Sequence, residues 1–119
     1  MKETTGSFTC NGKEYKTVFN LNVMEKIQDE YKTVDNWAAR TDGKHTEEVD
    51  IKALIFGITE MINEAIDIDN EDNGTNEPFL THKQVGRIIT EIGFAKAAEK
   101  MNELVVESVK DDTADEKNA

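Results

Sequence analysis

Cysteine, proline and tryptophan are nearly missing from this sequence: each occurs once in 119 residues. The lone Cys10 cannot close an internal disulfide, which excludes a disulfide-stapled secreted scaffold and points to a reducing cytoplasm. No His or basic cluster lies beside Cys10 to activate a thiolate, so it reads as a small strand residue. No apolar run reaches membrane length. The start, Met1-Lys2-Glu3-Thr4-Thr5-Gly6, leads into no apolar signal core, so neither secretion nor a membrane span is expected.

Positive charge is missing from one stretch. Residues 46–80 hold a single basic side chain, Lys52, against ten acidic ones. Residues 1–45 balance at seven of each sign, and residues 81–119 hold six basic and eight acidic side chains. The formal net charge of −11 therefore resides mainly in one block. Such a block repels phosphate backbones and anionic membranes, and favours a protein partner, a cation or plain solubility.

What is present is enough Ile, Val, Leu, Phe and Met between residues 8 and 109 to bury one modest core, so a single domain spanning 1–109 is expected. Residues 7–20 read as a β-hairpin around Asn11-Gly12, a pair that tolerates the positive φ of a type I′ turn. Phe8 and Cys10 on one strand, and Tyr15, Thr17 and Phe19 on the other, share the face that must lie on helices. Asn22 with Glu25 resembles a helix start, predicting a helix over 23–31. A short helix over 34–40 and a turn at Thr41-Asp42-Gly43-Lys44 follow. Asp50 caps a helix over 51–67. Its wide apolar stripe, Leu54, Ile55, Ile58, Met61, Ile62, Ala65 and Ile66, marks it as the central element. Asn70–Pro78 reads as a polar loop. Thr81-His82-Lys83-Gln84 is a capping box, with Leu80 and Val85 as a hydrophobic staple, opening a helix over 82–92. At Gly93 the apolar phase changes, so a separate helix over 94–109 is expected, with Phe94 folding back on Ile89. Residues 110–119 have nothing to bury and predict a disordered polar tail. The fold class is α+β, mostly α-helical: an N-terminal β-hairpin packed on a bundle of four to five helices.

Candidate sites are few. Asp69, Glu71, Asn73 and Gly74 match the start of a calcium-binding loop, but Leu80 stands where a bidentate Glu is required. A solvated loop is the expectation. His45 and His82 lack zinc-motif spacing, and no glycine-rich phosphate loop is present. Glu60 and Glu64, one helical turn apart, read as a solvated face. Residues 81–101 have the outline of a helix-turn-helix, but Lys96, Glu99, Lys100 and Glu103 cancel and leave no positive footprint. No catalytic, cofactor-binding or metal residues are expected, and no nucleic-acid or membrane partner. The remaining candidate is the apolar seam Phe94, Ala97, Ala98, Met101, Leu104 and Val105, which suits either the core or a partner helix. Self-association is left open.

Two stretches carry a family resemblance. One is Tyr15-Lys16-Thr17-Val18-Phe19-Asn20-Leu21-Asn22, followed by a helix with Ile27-Gln28-Asp29-Glu30-Tyr31. The other is Leu80-Thr81-His82-Lys83-Gln84-Val85-Gly86-Arg87-Ile88-Ile89. With the helix that starts Asp50-Ile51-Lys52-Ala53-Leu54 between them, the chain resembles the tail assembly chaperones of long-tailed (siphovirus-type) phages and prophages. The similarity lies in order and spacing over most of residues 12–108. It departs at Lys83-Gln84, where the family has an acidic pair. The resemblance implies a non-enzymatic, cofactor-free protein of the bacterial host cytoplasm. Such a protein coats the helical tape measure protein, keeps it soluble and helps recruit tail tube protein. The rival from another class is an acidic inhibitor or DNA mimic, whose carboxylates would occupy the basic groove of a nucleic-acid-binding protein.

Overall fold

The structure, a computed structural model, describes the backbone of residues 3–42 and 49–118, with side chains up to residue 110. Two strands, β1 (Thr4–Cys10) and β2 (Lys13–Phe19), precede five helices: α1 (Leu21–Tyr31), α2 (Val34–Thr41), α3 (Ile51–Asn73), α4 (His82–Ile92) and α5 (Phe94–Asn118). The α+β, mostly helical class is as the sequence predicts. His45 and the Gly43-Lys44 half of the expected turn lie outside the described residues.

The strands pair antiparallel, with Phe8 opposite Tyr15 and Cys10 opposite Lys13. Asn11 and Gly12 both take positive φ, 51° and 79°, the backbone that a type I′ turn requires. Phe8, Cys10, Thr17 and Phe19 are buried on the shared face. Val18, on the other face, is buried too, where the chain turns into α1. A lone hairpin is marginal in water. This one is held because α3 lies along β2 and α5 lies along β1.

Helix α3 packs against β2, α1, α2, α4 and α5. Leu54, Ile58, Met61 and Ile62 from α3 are fully buried with Phe19, Ile27, Trp37, Val85 and Met101. Trp37 sits at the centre, and its indole N–H donates to the Ala53 carbonyl at 2.9 Å. A buried indole without such an acceptor would forfeit a hydrogen bond it makes with water. The ring lies directly over Gly57. A mid-helix glycine normally costs about 1 kcal/mol relative to alanine; here the missing side chain is the space the indole fills.

Strand β1 starts at Thr4, three residues before the expected hairpin, and α2 takes in Thr41; three further boundaries also differ from the sequence expectation. The cap of α1 is Asn20, not Asn22: its side chain accepts from the N–H groups of Asn22 and Val23. Its amide is fixed from α3, donating to Glu64 at 2.6 Å, and the Asn22 amide donates to the same oxygen at 2.9 Å. Helix α3 runs to Asn73 rather than residue 67. Asn70 finishes it by folding the following loop back: its side chain accepts from the Glu77 N–H and donates to the Glu77 carbonyl. Helix α5 continues to Asn118, so the backbone is helical over 110–118 where the sequence predicts disorder. That segment has no Gly or Pro, and extending an existing helix avoids the nucleation cost.

Asp50 caps α3 as the sequence predicts. Thr33 caps α2, where the sequence reading named no cap. The Thr81–Gln84 capping box is complete, with Gln84 N–H donating to Thr81 Oγ1 at 3.2 Å and Thr81 N–H donating to Gln84 Oε1 at 2.8 Å. Gly93 separates α4 from α5 with φ 99°, a backbone that a residue with Cβ rarely adopts.

Candidate functional site

The seam on α5 divides once the helix is packed. Ala97, Ala98, Met101 and Val105 are buried, as is Ser108. They close the core against both strands and α2, α3 and α4. Leu104 is half-buried. Phe94 is 53% exposed. Four of the six seam residues are therefore inside the molecule.

A different stripe of α5 faces outward. Val106 is 62% exposed and Val109 is 50% exposed. Adjacent valines on a helix are separated by about 100°, so burying Val105 turns Val106 toward solvent. Ala95, Ala98, Asn102 and Val106 form one wall of a groove of about 800 Å³. The opposite wall comes from the end of α2, with Ala38 and Thr41, and from Val49. A polar clamp joins the walls: the Asn102 amide donates to the Thr41 carbonyl at 3.0 Å, and the buried Thr41 hydroxyl reaches Ala38 O at 3.2 Å. The groove is thus a shaped surface between two tied elements. Of the predicted seam, Ala98 and Val105 reach this groove from the core side; the sequence expectation did not include Ala95, Asn102 and Val106, for which the Val105-Val106 doublet was the available signal.

Glu99, Glu103 and Glu107 line the outer edge of this groove. Their four-residue spacing places them along one side of the helix. No described hydrogen bond or ion pair engages them, and among the described residues no Lys or Arg lines the groove.

The other candidates gain no chemistry. Asp69 and Glu71 belong to α3 and not to a loop. Asp69 pairs with Lys16 at 3.2 Å, both partners well exposed. Among the described residues, no group of three or more His, Cys, Asp or Glu could hold a metal ion. Glu64 serves the α1 cap described above. Lys100, in the would-be recognition helix, is drawn to β1: its ammonium donates to the Ser7 carbonyl at 3.2 Å and lies 5.6 Å from the Phe8 ring centre. Cys10 is buried and free. No described helix is long and apolar enough to cross a membrane.

One surface cluster has a shifted acidity. The Tyr31 ring meets Phe56 edge-on at 5.6 Å, and Phe56 meets His82 at 6.2 Å. Burial pushes the Tyr31 phenol above its usual value of 10.0, and the Asp50 and Glu30 carboxylates push the same way, against Arg40. The neutral phenol is the favoured form in the fold. Its contribution to stability is complete below the unfolded pKa and is lost as pH rises through the folded one. Alkaline titration of tyrosinate absorbance, with Tyr31→Phe as the subtraction, is expected to place this transition above pH 10; a midpoint at or below the ordinary value would contradict the environment described.

Comparison with protein-family models, with curated proteins and with solved structures gives no match. The class the molecule supports is accordingly set by its own architecture: a hairpin on five helices, strongly acidic, with an apolar groove on its surface.

Proposed function

We propose that this protein is a phage or prophage tail assembly chaperone that binds the helical tape measure protein and assists tail tube assembly in the bacterial host cytoplasm. The resemblance in residues 15–31 and 80–89 supports this reading. The observation that carries it is the solvent-facing apolar groove on α5, set on a domain of net charge −11. The resemblance implies a partner that is a long helix with apolar faces needing cover. A groove can cover such a face, while the carrier's net charge keeps the complex dispersed.

Co-expression tests the proposal. Fragments of the tape measure protein encoded beside this gene are expected in the soluble fraction when this protein is present, and in the pellet when it is absent. Fragments that stay insoluble in both cases would count decisively against it. The inhibitor or DNA-mimic reading has less support. Two of the α3 carboxylates are already engaged, Glu64 by Asn20 and Asn22 and Asp69 by Lys16.

A further inference from the structure

We infer that the groove between α5 and the end of α2 receives one amphipathic α-helix from another protein, with Lys or Arg along the flank that meets Glu99, Glu103 and Glu107. The inference rests on the proposed chaperone reading for the helical nature of the partner, and adds where that helix sits and what charge it carries.

Size is the first argument. From Ala95 to Val106 the wall of the groove is about 16 Å long, which matches about three turns of helix. Side-chain bulk is the second. Ala95, Ala98 and Asn102 are small enough to admit another helix at the usual interaxial distance of about 8–10 Å. Val106, 62% exposed, supplies apolar surface at the groove. Charge is the third. The glutamates recur at about 6 Å intervals along the axis. Basic residues at the same four-residue period on an incoming helix meet all of them in one register. Each exposed ion pair is worth only about 0–1 kcal/mol. The apolar stripe therefore supplies most of the affinity, and the glutamates select the partner and its orientation.

The same charges argue against a second copy of this chain. Two α5 helices laid together would set the glutamate rows against each other, on molecules that each carry −11. Like charges brought together in that way oppose association.

The test uses two synthetic helical peptides, each about four turns long. They share one Leu/Ala stripe and differ in having Lys or Glu on the flanks. Binding is read by fluorescence anisotropy, and the site by amide chemical-shift changes on the full chain. The Lys-flanked peptide is expected to bind, with shifts confined to α5 and the end of α2, and the Glu-flanked peptide to bind at least about tenfold more weakly. Val106→Asp is expected to weaken binding by about tenfold or more while the chain stays folded. Replacing Glu99, Glu103 and Glu107 together by Lys is expected to reverse the preference between peptides. Equal binding of both peptides, shifts centred elsewhere, or a preference unmoved by the triple replacement would overturn the inference. So would a Val106→Asp protein that differs from the parent only in breaking up a dimer, since a second copy would then be the occupant.

The two proposals fail separately. If Val106→Asp still solubilises tape measure fragments, the groove assignment falls and the chaperone reading stands. If the Lys-flanked peptide binds as expected but no tape measure fragment is solubilised, the reverse holds.

Discussion

Gly57→Ala is expected to destabilise this protein substantially, although the same replacement in an exposed helix stabilises. The methyl carbon would stand 2.3 Å from Trp37 Cζ2, 3.0 Å from Cε2 and 3.1 Å from the Met101 sulfur. The first distance lies far inside van der Waals contact, so something must move. The indole is fully buried and its N–H is held by the Ala53 carbonyl at 2.9 Å, so it has little room to yield. Alanine's helix propensity returns about 1 kcal/mol. Overpacking of a tight core costs about 1–3 kcal/mol, occasionally more. An approach this close belongs at the upper end, and the net effect is a loss. Urea denaturation of Gly57→Ala beside the parent measures it. The cause is isolated by repeating the replacement in a Trp37→Phe background. The smaller ring removes the atoms nearest the new methyl, so Gly57→Ala should cost much less there. A cost that is the same in both backgrounds would show that the indole is not the obstacle.

The second large effect separates two neighbours. Val105→Asp is expected to unfold the domain or bring it close to unfolding. Val106→Asp is expected to leave it folded, with a change within about 0.5 kcal/mol. Val105 is 6% exposed and packs in the main core cluster with Ala98 and Met101. Among the described residues no Lys or Arg lines the space beside Val105, so a carboxylate placed there must be buried charged or protonated, each at a cost of several kcal/mol. That is comparable with the whole stability of a typical domain, about 5–15 kcal/mol. Val106 is 62% exposed, and its replacement leaves the carboxylate in water. Far-ultraviolet circular dichroism and thermal melting of the two variants decide the matter. If both unfold, or neither does, the rotation of α5 about its axis is other than described.

These neighbours also show where sequence reasoning reached its limit. The periodicity of residues 94–109 correctly indicated a helix with an apolar seam, and most of that seam is core. Periodicity does not specify how a helix with apolar residues on more than one side is rotated in place. Ala97, Ala98, Met101 and Val105 turned inward because α5 meets β1, β2, α2, α3 and α4 together. Ala95, Val106 and Val109 remained outside for the same reason. Phe94, the bulkiest seam residue, lies at the first turn of α5 and stays exposed.

The sequence by itself determined what short-range chemistry controls. Asn11-Gly12 set the turn and thereby the register of the hairpin. Thr81 with Gln84 set the start of α4, Asp50 set the start of α3, and Gly93 set the break before α5. In each case the deciding groups lie within a few residues of one another, so the signal is local. Only the tertiary structure decided the α1 cap, because the side chain that fixes Asn20 is Glu64, 44 residues away. Only it showed that Asn63 holds the start of α4, through paired hydrogen bonds to the Leu80 backbone at 3.0 and 2.8 Å. Only it revealed that a glycine lies under the tryptophan, and which side of α5 stays exposed. Such features depend on groups brought together from distant parts of the chain, and a sequence pattern records the period of a face without recording what the face meets.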